Sequence, residues 1–299
     1  MNTTEQTALN RQGIFHLLVV YLVWGSTYLA IRMAVREGAG FPPFTLAFLR
    51  VATASIILLT MARLRGERIK LTRNEFVLLL GSGLLLWVGG NGLVTWAEMR
   101  ASSGMAALLV AAMPIWSEII TSILDRKKPG LKMTASILLG FSGVGILSWP
   151  VLRTGSYADL LAVVALLLAP LFWALGSIWF QRKRTDLNVT AVSGWQHLLG
   201  GLGFLVVILL RAEPLPQPTG EAWSAWAYLV IFGSVFGFTS YMRILQLLPY
   251  RVVMTYAYVN PVIAVLLGWL ILGESVTSWT IAGTVLVVAG VAGIFQNRS

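Results

Sequence analysis

A chain that offers one run of about 20 apolar residues after another has few folds open to it, because lipid supplies no partner for a backbone N–H or C=O. Ten such runs stand in this sequence, near 14–34, 43–62, 75–96, 103–124, 132–149, 158–180, 189–210, 224–246, 252–272 and 278–296. Each is continuously apolar rather than apolar at alternate positions, which predicts helices and excludes a β-barrel. The links between runs are short, so one compact bundle is expected. Of the 299 residues, 57% are hydrophobic and 11% are charged. A soluble domain carries roughly 25% charged residues, so this chain lacks the polar surface to cover itself in water. The predicted class is therefore all-α integral membrane, with ten transmembrane helices. The first run follows Arg11 and is as long as a span, without the short apolar core and small-residue cleavage site of a removed leader; it reads as a retained signal anchor.

The cations have a pattern. With ten spans, one end of the bundle receives Arg11, Arg63, Arg65, Arg68, Lys70, Arg73, Arg126, Lys127, Lys128, Lys132, Arg182, Lys183, Arg184, Arg243, Arg251 and Arg298. The opposite end receives Arg32, Arg36, Arg100, Arg153 and Arg211, and Arg50 stands alone inside a span. The asymmetry of 16 against 5 predicts both termini in the cytoplasm. It also assigns the net charge of +10 to the membrane surface rather than to nucleic acid.

A faint internal repeat divides the chain. The run Gly104–Ile120 contains Pro114, and Val252–Pro261 has the same shape, with its proline 147 residues later. The same offset pairs Gly143 with Gly290 and Val144 with Val291. Repeats of five spans, 1–150 and 151–299, have an odd count, so the second half enters from the opposite face and the two are inverted around a central cavity. Inverted repeats with prolines at matching points are the sequence mark of an alternating-access carrier. Pro114 and Pro261 are thus candidate hinges. Ser136 with Gly140, Gly233 with Gly237, and Ala289 with Gly293 are small-residue pairs suited to close helix packing.

Ionisable groups at membrane depth are costly and are candidates for function. Glu118, four residues after Pro114, could hold a substrate ammonium group, take up a proton, or serve as a buried partner for an Arg, Trp or Ser. Arg50 could bind a carboxylate or bridge helices, and His197 occupies its matching position in the second half. Polar and aromatic residues recur at i, i+4, which places each pair on one helix face: Trp24 with Tyr28, Asn91 with Thr95, Trp173 with Ser177, and Tyr256 with Asn260. With Trp96, Trp116 and Tyr241 they would wall a cavity with amide and hydroxyl handles, suited to a small amphipathic molecule. His16, at a membrane edge, is given no role. Cysteine is absent, which excludes disulfide and thiolate chemistry, and two isolated histidines cannot build an ordinary zinc site. Phosphate-binding, zinc-protease and nucleophile-elbow motifs are missing. No enzyme activity, metal or cofactor is expected. The expected partners are a small-molecule substrate and the lipid bilayer, and a monomer could suffice.

These features resemble the drug/metabolite transporter superfamily, of the ten-span EamA type. The resemblance rests on Trp24-Gly25-Ser26-Thr27-Tyr28, Pro43 followed by Arg50, the alanine-rich approach to Pro114, Pro261 followed by Leu272-Gly273-Glu274, and Gly283 with Gly290-Val291. Lys127 stands where the first half would repeat Glu274, a departure from internal symmetry. The resemblance implies two bundled halves around a central cavity, and export of amino acids, related metabolites or drugs. Within the family the chain is most similar to bacterial inner-membrane exporters of aromatic and other neutral amino acids. A multidrug or lipophilic-cation exporter anchored at Glu118, and a membrane channel, are the alternatives.

Overall fold

The computed structural model describes residues 3–126, 128–183 and 185–296. The symmetry break at Lys127, and the cations Arg184 and Arg298, lie outside the described residues. Among those residues the chain is helical and has no strand. Ten apolar helices of membrane scale follow: α1 Arg11–Val35, α2 Pro43–Leu64, α3 Arg73–Ala97, α4 Ser103–Leu124, α5 Leu131–Arg153, α6 Tyr157–Arg182, α7 Val189–Arg211, α8 Gly220–Leu247, α9 Tyr256–Leu272 and α10 Ser278–Gln296, with one short turn of helix, Tyr250–Val253, ahead of α9. The first eight are long and apolar enough to cross a membrane, and α9 and α10 are shorter apolar helices. Large apolar side chains such as Leu22, Ile56, Leu210, Val262 and Leu270 face outward, as a lipid-facing surface requires.

The helix starts follow from local chemistry. Pro43 opens α2, where its missing N–H costs nothing. Thr72 with Glu75 and Ser156 with Asp159 form capping boxes at α3 and α6.

The packing has a two-fold pattern. Helix α1 lies against α8 and α9, while α6 lies against α3 and α4; α2 pairs with α7, and α5 with α10. Each half's first helix thus docks on the third and fourth helices of the other half. The α5–α10 pair meets along the small residues expected from sequence. A Cβ on Gly290 would stand 2.4 Å from the Gly140 nitrogen, and one on Gly293 would stand 2.3 Å from Ser136 Oγ.

Three departures from regular helix occur inside the bundle. Helix α4 breaks at Ala111–Ala112, between Ser103–Val110 and Met113–Leu124, so Pro114 lies in the first turn of the second piece. The matching break does not fall at Pro261. It lies at Met254–Thr255, ahead of α9, and Pro261 sits within continuous helix. A proline's missing N–H frees only the carbonyl four residues back, and a packed membrane helix absorbs that. The third departure has no counterpart in the sequence expectations: α3 and α8 are π-wound over Leu85–Gly92 and Leu229–Phe238.

Two glutamates close the end of the bundle at which α1 finishes. After α7, Ala212 turns left-handed (φ 47°), and Glu213 accepts from the backbone N–H of Phe44 at 3.0 Å and of Thr45 at 2.8 Å. After α9, Gly273 turns left-handed (φ 64°), and Glu274 accepts from Ser103 N at 2.8 Å, Ser103 Oγ at 2.8 Å and Gly104 N at 3.2 Å. Each carboxylate satisfies orphan donors at a helix N-terminus in the other half and meets the positive end of that helix dipole. Glu274→Ala should therefore destabilise the protein by about 1–3 kcal/mol through orphaned donors. A lowered thermal unfolding midpoint in detergent checks this, and an unchanged midpoint would show that the clamp is idle.

Candidate functional site

Near the middle of the bundle a chamber is lined by Trp24, Thr27, Tyr28, Ile31, Arg50, Trp87, Gly90, Asn91, Val94, Val110, Met113, Ala169, Trp173 and Tyr256. The side chains come from α1, α2, α3, α4, α6 and the first residue of α9. Trp24 is the hub of an aromatic cluster, with ring centroids 4.8 Å from Tyr241, 5.4 Å from Trp173 and 5.5 Å from Tyr256. The π-wound segments make room for these rings. A Cβ on Gly237 of α8 would lie 2.7 Å from Trp24 Nε1, and one on Gly90 of α3 would lie 2.7 Å from the Trp173 ring. Gly90 and Gly237 are 147 residues apart, the offset between the prolines. Trp24 Nε1 donates to the Gly233 carbonyl at 3.2 Å, which anchors the hub to the π-wound backbone of α8.

Arg50 is the one charged side chain in this lining among the described residues, and it is 4% exposed. Its Nε donates to Ser234 Oγ at 2.9 Å, and its Nη1 reaches Asn91 Oδ1 at a long 3.4 Å. The guanidinium carbon sits 5.4 Å from the Trp87 ring centroid, within cation–π range. Neutral partners hold the cation in place without cancelling its charge.

Six of the residues singled out from sequence line the chamber together: Trp24, Tyr28, Arg50, Asn91, Trp173 and Tyr256. The others stand elsewhere. Tyr241 and Ser177 form the support behind the wall, since the Tyr241 hydroxyl accepts from Trp173 Nε1 at 3.3 Å and bonds Ser177 Oγ at 2.7 Å. Thr95 is spent on its own helix, donating to the Asn91 carbonyl at 2.8 Å. Asn260, with its amide nitrogen facing the two carbonyls, donates to Tyr256 and Tyr21 at 3.2 Å each and ties α9 to α1. His197 lies behind Trp87, its ring 4.3 Å from that indole and its Nδ1 2.7 Å from the Ser193 carbonyl. Trp116 packs edge-on against Phe141. Glu118 is buried, with Ser122 Oγ 3.3 Å from its Oε1, and it is not in the chamber lining. Pro114 and Pro261 are absent from that lining too.

Two further residues emerge only from the structure. Trp87 precedes Asn91 by four residues, the same spacing that selects the other pairs, and that signal could have found it. Glu98 follows the third apolar run and reads from sequence as a link residue, yet it is wholly buried.

A second, larger space of about 1070 Å³ opens at the end where α1 finishes. It is bordered by Trp96 and by Arg32, Arg36, Arg100 and Arg211, four of the five cations assigned to that end. Arg36 pairs with Glu221 at 2.8 Å and Arg100 with Asp159 at 3.0 Å. Chamber residue Ile31 adjoins vestibule residue Arg32 along α1, and Val94 is two residues before Trp96 along α3. The chamber holds about 70 Å³, well under the ~300 Å³ at the low end of ligand sites. This state therefore has its vestibule wide and its inner chamber contracted. Tyr241→Phe, which leaves Trp173 Nε1 without its partner, should cost about 1 kcal/mol and lower the unfolding midpoint in detergent. An unchanged midpoint would mean that the hydroxyl does not brace the wall.

The chain's likenesses agree with this architecture. The EamA-like transporter family matches residues 11–149 and again residues 160–296. The chain is similar to the uncharacterized inner membrane transporter YedA of Escherichia coli (strain K12), at 31% identity over 274 residues, covering 90% of this chain and 87% of that one. It is similar to the uncharacterized transporter YoaV of Bacillus subtilis (strain 168), at 23% identity and 94% of each chain. A solved crystal structure superposes on 97% of both chains with a TM-score of 0.66 at 19% identity, which is a likeness of fold alone. A ten-helix membrane bundle whose sequence matches one transporter family over both of its halves belongs to that family, and this chain is a member of the EamA-like transporter family.

Proposed function

We propose that this transporter exports neutral, chiefly aromatic, amino acids across the bacterial inner membrane by alternating access, with both termini in the cytoplasm. The observation that carries the reading is a lone guanidinium inside an aromatic box. The Nη2 of Arg50 has no acceptor among the described residues, and its Nη1 bond to Asn91 is long. A substrate carboxylate can take that edge in a two-pronged, charge-assisted contact, while Trp24, Trp173 and Tyr256 receive an apolar or aromatic side chain. Asn91 and Tyr28 supply polar handles for the remainder.

The inner-membrane location is supported by the E. coli relative's description, and the orientation by the cation asymmetry of the links. The two halves, 1–150 and 151–299, would exchange roles as the access switches. The break in α4 and the one ahead of α9 are the places where backbone can yield. A lipophilic-cation substrate fits less well, because the lining's charge is positive and Glu118 stands apart from the chamber.

Proteoliposomes preloaded with unlabelled tryptophan should accumulate labelled tryptophan from outside, saturably and only when internal substrate is present. Tryptamine, which lacks the carboxylate, should not compete. A buried bond to a charged group contributes about 1.5–3 kcal/mol, so Arg50→Gln should weaken apparent affinity by roughly tenfold to a hundredfold. Exchange by Arg50→Gln at wild-type affinity would remove Arg50 from the site. Absence of exchange with any amino acid would remove the substrate class.

A further inference from the structure

Glu98, in the turn after α3, is a buried acid to which the chamber assigns no task. It is 0% exposed, and neither carboxyl oxygen accepts a hydrogen bond from any described residue. An ionised carboxylate in that place lacks the hydrogen-bond donors that would offset its desolvation. Burial holds this carboxyl well above the ordinary carboxylate range.

The titratable and charged groups that face it are Tyr28 and Arg32 from α1, Arg50 from α2, and Glu274 from the turn after α9. Two of these are cations that favour the charged form, and their positions differ in kind. Arg32 donates through Nη1 to the backbone carbonyl of Glu98 itself and borders the vestibule. Its guanidinium therefore already rests on the main chain of Glu98, and a side-chain swing separates that carbonyl from the carboxylate. Arg50 lines the chamber.

We infer that Glu98 is the carrier's proton-binding residue, and that it takes its proton together with a carboxylate-bearing substrate on Arg50. This rests on the chamber being the substrate site. A carboxylate on Arg50 cancels one of the two positive fields that favour ionised Glu98, so substrate raises the affinity for a proton. By reciprocity the proton raises the affinity for substrate. While Arg32 holds the carbonyl, the carboxyl keeps its proton. When Arg32 moves onto the carboxylate, the proton passes to vestibule water and the remaining negative charge is paired. Amino acid and proton then leave together, driven by the amino acid's own gradient.

The test uses proteoliposomes loaded with tryptophan under an imposed pH gradient. An acid exterior should speed inward movement of labelled tryptophan in the wild type by about fivefold or more, the range of ordinary coupling. Glu98→Gln, a stand-in for the protonated acid, should still exchange tryptophan, at a rate that no longer follows the gradient. A gradient response retained by Glu98→Gln, or an acid exterior that slows the wild type, overturns the inference. If the variant does not fold, the wild type alone decides. Tryptophan added to the purified transporter in weak buffer, across a pH range that includes the one where Glu98 is partly ionised, should draw protons from solution, and release of protons or no change at every pH overturns the inference. If the wild type exchanges no tryptophan, the substrate reading has failed by itself. The infrared band of a protonated carboxyl, present in wild type and missing from Glu98→Gln, then still tests Glu98, and identical spectra overturn its role.

Discussion

Inside lipid every backbone N–H and C=O must find its partner within the protein, and the architecture of this transporter depends on that constraint. Regular helix meets it automatically, so most of the chain is regular helix. The informative places are those where regular helix is given up, and they cluster at the chamber or at the ends that bound it. The π-wound parts of α3 and α8 replace side chains with glycine and let Trp173 and Trp24 approach the backbone, with the Gly233 carbonyl accepting from Trp24 Nε1. The broken segment of α4 delivers Val110 and Met113 to the lining. Glu213 and Glu274 answer the same constraint at helix starts, using acids from one half to satisfy donors of the other.

Electrostatics adds a further layer. The links at one end carry most of the cations, which leaves the few at the other end conspicuous, and four of those border the vestibule. Arg50 lies deeper, held by a serine, a distant amide oxygen and an indole face. Those contacts fix its direction and bring no opposite charge against it. Glu98 lies within the electrostatic reach of both Arg32 at the vestibule and Arg50 in the chamber.

Helix seams and ring contacts divide the packing. The α5–α10 seam is so close that Gly290 has no room for a methyl group, which suits a fixed pair. The elements around the chamber meet through aromatic rings at 4.8–5.5 Å.

Helix number, the positions of the spans and the cation asymmetry are legible in the chain, because length and apolarity alone decide what crosses a bilayer. Trp24, Tyr28, Asn91, Trp173 and Tyr256 are legible too, since the i, i+4 spacing puts a pair on one face whatever that face meets. Spacing cannot say which faces converge. Ser177 and Asn260 have the same spacing, yet they stand outside the lining, because which side of a helix faces the chamber depends on helices distant in sequence. Glu118 and Glu98 show this most clearly. In the sequence Glu118 belongs to a central, proline-marked run, whereas Glu98 reads as a surface link. Packing places Glu98 out of reach of water with two arginines facing it, and puts Glu118 outside the lining. Apolar length was enough to establish a ten-helix membrane protein. Which buried charges meet is a property of the folded bundle, because the field at a buried group is set by neighbours in space rather than along the chain.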